Sequence, residues 1–248
     1  MTWNLNFRRS VDAQMEAVLA LAPDVAVFQE VRAAGFAEMA ALLAARGLPH
    51  FATSLDHCEE GYAPALGRFV AAASRWPFLD AAPLAAPAPE VAVARTVAGP
   101  WPDFELVGLY VPSAARDDQL KIPTQEAVAR RIRRAAEWPH ILCGDFNSPN
   151  AETADGVITP FSRRKHERAL AAELGLFDGM VDAFRACNGF GVAESSWYWK
   201  NRGRTGGYRL DHILVSRHFA IEGCFYNHDV RLSGLSDHSL MVADLSYR

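Results

Sequence analysis

The sequence has no cysteines at Cys-x-x-Cys spacing, no basic excess, no internal repeat, and no apolar run near the ~20 residues of a membrane span. Each absence excludes something. Four cysteines occur, Cys58, Cys143, Cys187 and Cys224, in a chain of 248 residues that needs no disulfide frame. They read as reduced thiols, with Cys143 in the core. His57-Cys58-Glu59-Glu60 lacks a second ligand pair and reads as a solvated loop, not a zinc site. Lys and Arg total 25 against 29 Asp and Glu, a formal net charge of −4. Proteins that coat a duplex are usually basic, so any nucleic-acid contact here must come from a local patch. The first residues lack the basic-then-apolar character of a secretory leader, which sets the expectation of a cytoplasmic protein. Met1 stands just before the polar motif at Asn4, so the first strand has almost no lead-in. Either that strand is truncated or the natural start lies further upstream.

Half of the residues are hydrophobic, enough for a sizeable core. Helical spacing predicts an amphipathic helix over Ser10–Leu21, stopped by Pro23, and another through Phe36, Met39 and Leu43, ended by Gly47. Further helices are expected over Thr124–Trp138 and Arg163–Leu174. Buried strands are expected at 25–28, 104–111, 141–143, 210–215 and 240–245. From Leu66 to Val97 short strands alternate with prolines, and Ala81–Pro89 reads as an irregular connection. Strands outnumber helices and many are joined by short loops. That pattern favours a layered α/β sandwich over strict βαβ alternation. No boundary is visible, so residues 1–248 are expected to form a single domain, and a monomer is expected.

Polar motifs stand at the ends of the apolar runs: Trp3-Asn4-Leu5-Asn6, Phe28-Gln29-Glu30, Gly144-Asp145-Phe146-Asn147, Leu210-Asp211-His212 and Ser236-Asp237-His238. Strand ends that all carry carboxylate, amide or imidazole groups suggest one pocket at a sheet rim. Such a pocket suits a hard divalent cation, which takes oxygen ligands. A cation beside a histidine and a carboxylate can cleave a phosphate ester with water. Asp145 and Asn147, two apart, point to one side and can orient a water; an ordinary Asp-x-Asn turn is the plainer alternative. Asp211 in an apolar strand costs several kcal/mol unless paired. It either bridges an arginine or fixes a histidine tautomer, and His238 is the candidate.

Taken together, Asn4, Glu30, Tyr110, Asp145-x-Asn147, Leu210-Asp211 and Ser236-Asp237-His238 resemble the endonuclease/exonuclease/phosphatase superfamily. The resemblance implies a four-layer sandwich of two packed β-sheets flanked by helices, and Mg²⁺- or Mn²⁺-dependent phosphodiester hydrolysis. By that resemblance Glu30 is the metal ligand, with Asn4 and Asp237 completing the site. Asp145 and Asn147 activate and place the water. His238 contacts the phosphate, Asp211 orients it, and Tyr110 supports the phosphate or leaving group. Tyr110-Val111-Pro112-Ser113 is similar to the exonuclease III and abasic-site endonuclease branch, which favours DNA as partner. Trp197, Trp199, Lys200, Arg202 and Arg204 fit base stacking with phosphate contacts, although alternating aromatics also bury well in a core strand. Three places depart from that branch: Phe7-Arg8-Arg9, Val31-Arg32 and Ser113. They bear on abasic-site specificity and leave the metal chemistry alone; a small-molecule or lipid phosphatase or phosphodiesterase, and a non-catalytic binding module, stand as alternatives. The run Arg130, Arg131, Arg133, Arg134 reads as a solvated helix face.

Overall fold

The computed structural model describes residues 1–8, 10–64, 67–113, 118–134, 137–152, 154–160 and 167–248. Its first elements are β1 (Thr2–Asn4), α1 (Val11–Leu19), β2 (Val25–Val31), α2 (Ala33–Ala44), β3 (His50–Thr53), β4 (Phe69–Ser74) and β5 (Phe78–Leu79). Then come β6 (Ala92–Val97), β7 (Phe104–Tyr110), α3 (Asp118–Arg134), β8 (His140–Asp145), β9 (Asn150–Glu152) and β10 (Ile158–Pro160). They are followed by α4 (Glu167–Leu174), β11 (Val181–Asp182), α5 (Ala183–Asn188), β12 (Trp197–Asn201) and β13 (Arg204–Tyr208). The chain closes with β14 (Asp211–Val215), β15 (Phe219–Asn227), α6 (Asp229–Leu232) and β16 (Leu240–Tyr247).

Two mixed sheets of six strands each carry the fold, in the orders β15-β16-β1-β2-β4-β3 and β11-β14-β8-β7-β6-β5. Strand alternation divides their side chains between layers. Val27, Val70, Leu106, Cys143 and Ile213 meet between the sheets. Ala26 and Phe28 turn the other way, onto Met15 and Val18 of α1 and Met39 and Leu43 of α2. Leu142 and Leu214 likewise leave the second sheet outward, against Val128 and Ile132 of α3. Helix, sheet, sheet and helix therefore stack as four layers, as the sequence resemblance implies. Fully burying one such Val, Leu or Phe side chain is worth about 1.5–3 kcal/mol, so each layer contact contributes materially.

Two parallel pairs fix where chemistry can occur. β1 runs parallel to β2, and β7 parallel to β8, so all four strands end at one rim. β14 runs antiparallel to β8 and starts with Asp211 opposite Asp145. The residues before β16 arrive at the same rim, where His238 bridges to Trp197.

Several elements differ in extent from the sequence reading. α3 starts at Asp118, earlier than expected, and runs through Pro123. Pro123 lies inside the helix beyond its first turn, so α3 forgoes one intrahelical N–H bond there. β15 was not expected: a bulge between Ile221 and Gly223 interrupts its period-two burial and hides the alternation. Asp211 opens its strand and is not interior to it. Arg131 is not solvated but bonds Glu105 Oε1 through Nε at 2.8 Å, while Arg130, Arg133 and Arg134 are exposed. Arg9, Leu66 and the 163–166 start of the expected Arg163–Leu174 helix lie outside the described residues. All four cysteines are free thiols, with Cys143 and Cys224 buried.

Candidate active site

The rim cleft has a volume of about 310 Å³ and is lined by Glu30, Arg68, Tyr110, Asp145, Asn147, Asp237 and His238, among others. Backbone geometry aims these groups. The β2–β4 register shifts between Phe28 and Val31, and Glu30 in that irregularity has φ 55°. Asn147 follows β8 with φ 47°. Left-handed backbone on a residue with a Cβ costs about 1–3 kcal/mol, and such strain gathers at functional positions. Gly144 has φ 143°, and a Cβ there would lie 1.9 Å from the carbonyl oxygen of Leu109. Only glycine lets β7 come this close to β8 and set Tyr110 beside Asp145.

At the floor, three side chains form one unit. His238 Nδ1 meets Asp211 Oδ2 at 2.8 Å, and His238 Nε2 lies 3.9 Å from Asp145 Oδ2. Asp145 is almost completely enclosed. Its Oδ1 accepts the backbone N–H of Asn147 at 2.8 Å. Its Oδ2 accepts from the Asn4 and Asn147 side-chain amides at 2.9 and 3.0 Å. The Asp145 carboxyl is raised to about 7, first by burial and also by Asp211, against the opposing His238 and amide donors. Burial disfavours the charged imidazole of His238, but Asp211 and Asp145 outweigh that and raise its pKa well above the ordinary histidine value. Asp211 Oδ1 is buried and accepts no hydrogen bond from the described residues. Ser196 Oγ receives the backbone N–H groups of Leu210 and Asp211 at 2.9 and 3.1 Å. Ser236 Oγ donates to the Asn4 carbonyl at 2.6 Å, and Trp3 Nε1 to the His238 carbonyl at 3.0 Å. The backbone around the unit is thus pinned from three chain segments.

On the cleft wall, Glu30 Oε2 pairs with Arg68 Nη1 at 2.7 Å. Tyr110 also hydrogen-bonds Glu30, and its phenol pKa is raised, first by burial and then by Glu30 and Asp145. Asp237 Oδ2 accepts Trp197 Nε1 at 3.1 Å. Two arrangements could take a metal ion. The ligating atoms of Asp145, Asp211 and His238 lie within 4.8 Å of one another. Glu30 and Asp237 instead face the cleft with oxygen donors alone, the donor set a hard cation prefers. The second suits magnesium or manganese by donor type, since the first includes an imidazole nitrogen.

The predicted nucleic-acid residues sit on the β12–β13 hairpin. Trp197 lines the cleft and stacks on Tyr208 with centroids 6.4 Å apart. Trp199 packs over Gly206, whose added Cβ would lie 2.6 Å from the indole. Lys200, Arg202 and Arg204 are exposed toward the hairpin tip. The aromatics are thus partly packed, and the three cations are exposed.

A model of the Endonuclease/Exonuclease/phosphatase family matches residues 1–238. The chain belongs to that family. Among curated relatives, the DNA repair nuclease APEX1 of Danio rerio is 27% identical over 138 residues, 49% of this chain and 43% of that protein. The match thus spans less than half of that relative. Among solved structures, an AP endonuclease from Archaeoglobus fulgidus has TM-score 0.74 at 20% identity, covering 99% of this chain and 98% of the other. A 3'-5' exonuclease (NExo) from Neisseria meningitidis has TM-score 0.69 at 23% identity, covering 99% and 98%. These two share the fold with this chain. The curated relative supports the exonuclease III and abasic-site endonuclease branch of the family.

Among the described departures from that branch, Ser113 lines the cleft. Arg32 lies over the Phe7 ring, 4.5 Å from its centroid, so two departures form one contact. Sequence reasoning missed Arg68 and Tyr208 and assigned no role to Asn6 of the first motif; all three line the cleft. Arg68 carried a usable signal: a cation directly before the fully buried strand Phe69–Ser74, as Glu30 is an anion at the end of an apolar run. Among the described residues, no helix is long and apolar enough to cross a membrane.

Proposed function

We propose that this protein is a divalent-metal-dependent phosphodiesterase that cleaves DNA. The observation that carries the reading is the buried Asp145–His238–Asp211 unit opening onto the cleft that Glu30 and Tyr110 share. Glu30 and Asp237 would hold Mg²⁺ or Mn²⁺, with the Asn4 amide oxygen behind them; when bound, the cation neutralises the phosphate and polarises its P–O bond. Asp145 takes a proton from the attacking water, a task suited to a carboxyl whose pKa burial has moved toward neutrality. Asn147 holds that water through the turn that Gly144 permits. Asp211 keeps His238 protonated and oriented, so that Nε2–H is available to phosphoryl oxygens as their charge builds. Tyr110 stays a neutral phenol and supports the phosphate or the leaving oxygen. The β12–β13 hairpin supports a nucleic-acid substrate, offering Trp197 at the cleft and Lys200, Arg202 and Arg204 beyond it. The relatives' names favour DNA, including sites of base loss, and a role in repair.

The test incubates purified protein with Mg²⁺, Mn²⁺ or a chelator against abasic duplex, intact duplex, single-stranded DNA, RNA, a phosphoinositide and a chromogenic diester. Metal-dependent DNA cleavage that Asp145→Asn abolishes is the expected result. Turnover of the phosphoinositide or chromogenic diester but not DNA would replace this reading with a small-substrate phosphatase. No turnover of any substrate would leave a binding module.

A further inference from the structure

Arg68 is the only lysine or arginine among the described residues that line the cleft. The other charged side chains there are Glu30, Asp145, Asp237 and His238. A phosphate entering such a cleft needs a permanent cation, and Arg68 is already committed to Glu30 at 2.7 Å, with both side chains mostly buried. Its guanidinium lies over the Tyr110 ring, 5.1 Å from the centroid, and its Nε is buried without a hydrogen-bond partner among the described residues. An arginine held at one end by a carboxylate, with unused donors beside the reacting residues, is poised to change partner.

We propose that Arg68 is the phosphate-reading residue of this cleft, held on Glu30 until a divalent cation takes that carboxylate. The proposal rests on the assignment of the cation to Glu30. A guanidinium and a divalent cation compete for the same Oε2, because their like charges repel at contact distance. Once displaced, Arg68 keeps its place against Tyr110 and turns its fork of N–H donors to phosphate oxygens, which it can bind in pairs. Cation and phosphate binding are then coupled through Arg68, and the coupling is reciprocal.

The sign of one measurement separates this role from a structural one. Mn²⁺ affinity of the metal-free protein is measured by calorimetry, with and without inorganic phosphate, for wild type, Arg68→Gln, Arg68→Lys and Glu30→Gln. If Arg68 competes with the cation, Arg68→Gln binds Mn²⁺ about fivefold or more tighter than wild type, and the gain from phosphate shrinks. If Arg68 merely props Glu30 in place, Arg68→Gln binds Mn²⁺ equally or more weakly, and the proposal is overturned. Arg68→Lys keeps the charge but not the fork. It should retain wild-type Mn²⁺ affinity and lose part of the phosphate gain, which keeps the proposal testable should the glutamine variant misfold. A lysine variant with the full phosphate gain contradicts it. Glu30→Gln separates the layers: unchanged Mn²⁺ binding there removes the cation assignment itself, whereas weakened binding with no gain in Arg68→Gln removes only the role of Arg68.

Discussion

β14 carries two carboxylate–histidine clusters on its opposite faces, and they behave in opposite ways. Asp211 turns inward to His238 and Asp145, whereas the next residue, His212, turns outward to Asp182 and Arg209. In the outer cluster Arg209 Nη2 reaches Asp182 Oδ2 at 2.8 Å and its Nη1 reaches His212 Nδ1 at 2.9 Å. Burial disfavours the Asp182 carboxylate, but His212 and Arg209 outweigh it and hold its pKa well below the usual carboxylate range. Phe146 and Phe177 enclose His212 with centroids 4.8 and 5.3 Å away. The inner cluster has no guanidinium in hydrogen-bond contact among the described residues. Two carboxylates share one imidazole there, and the Asp145 pKa rises where that of Asp182 falls. The same residue types thus make an arginine-paired strut on one face and, in the proposed mechanism, a proton-handling unit on the other. What separates them is one arginine.

The contrast should be sharpest on replacing a carboxylate in each cluster. Asp145→Asn is expected to lower kcat about 10²–10⁴-fold, the range for a lost general base, in steady-state cleavage assays. Asp182→Ala should act on stability instead. It takes from buried Arg209 its carboxylate partner and removes the oxygen that accepts the Arg185 N–H at the start of α5. A loss of about 3–5 kcal/mol is expected in denaturant unfolding, with activity per folded molecule retained. A large loss of kcat in Asp182→Ala at full folding would erase the distinction between the faces.

Acid should reveal the strut as well. A depressed folded-state pKa means that Asp182's contribution is present above the ordinary carboxylate pKa of about 3.9 and is lost as pH falls. Unfolding free energy of the wild type should therefore fall between about pH 5 and pH 2 more steeply than that of Asp182→Asn. Equal acid slopes would show that the outer pair is not stabilising.

Smaller still is the effect expected at the hairpin. Arg202→Ala combined with Arg204→Ala should weaken DNA binding and lower the slope of log K against log salt by up to about 2, since each phosphate contact contributes roughly 0.9. Turnover of a chromogenic diester should stay unchanged. Equal losses on DNA and on the diester would make the hairpin structural.

Most of this architecture was legible before any coordinates. Asp145, Asn147, Asp211 and His238 could be found because each follows or opens an apolar run, and strand ends collect at one rim of a sheet. Other features were harder to place. Asp182–Arg209–His212 assembles from two chain segments, and nothing local pairs them. Arg68 stands directly before an apolar run, but its place at the cleft needs β4 paired beside β2. The bulge in β15 breaks the alternation that identifies a strand, and the same kind of irregularity in β2 is what aims Glu30. Local irregularities of backbone hide from periodicity, and several of them shape this cleft.

The central claim is that Asp211 and His238 act as one chemical unit. A double-mutant cycle on kcat/KM for metal-dependent DNA cleavage tests it most directly, using His238→Ala, Asp211→Asn and both together. Residues that function as a unit give strongly non-additive losses. The account predicts that the double variant is scarcely slower than His238→Ala alone; losses that add fully would contradict it.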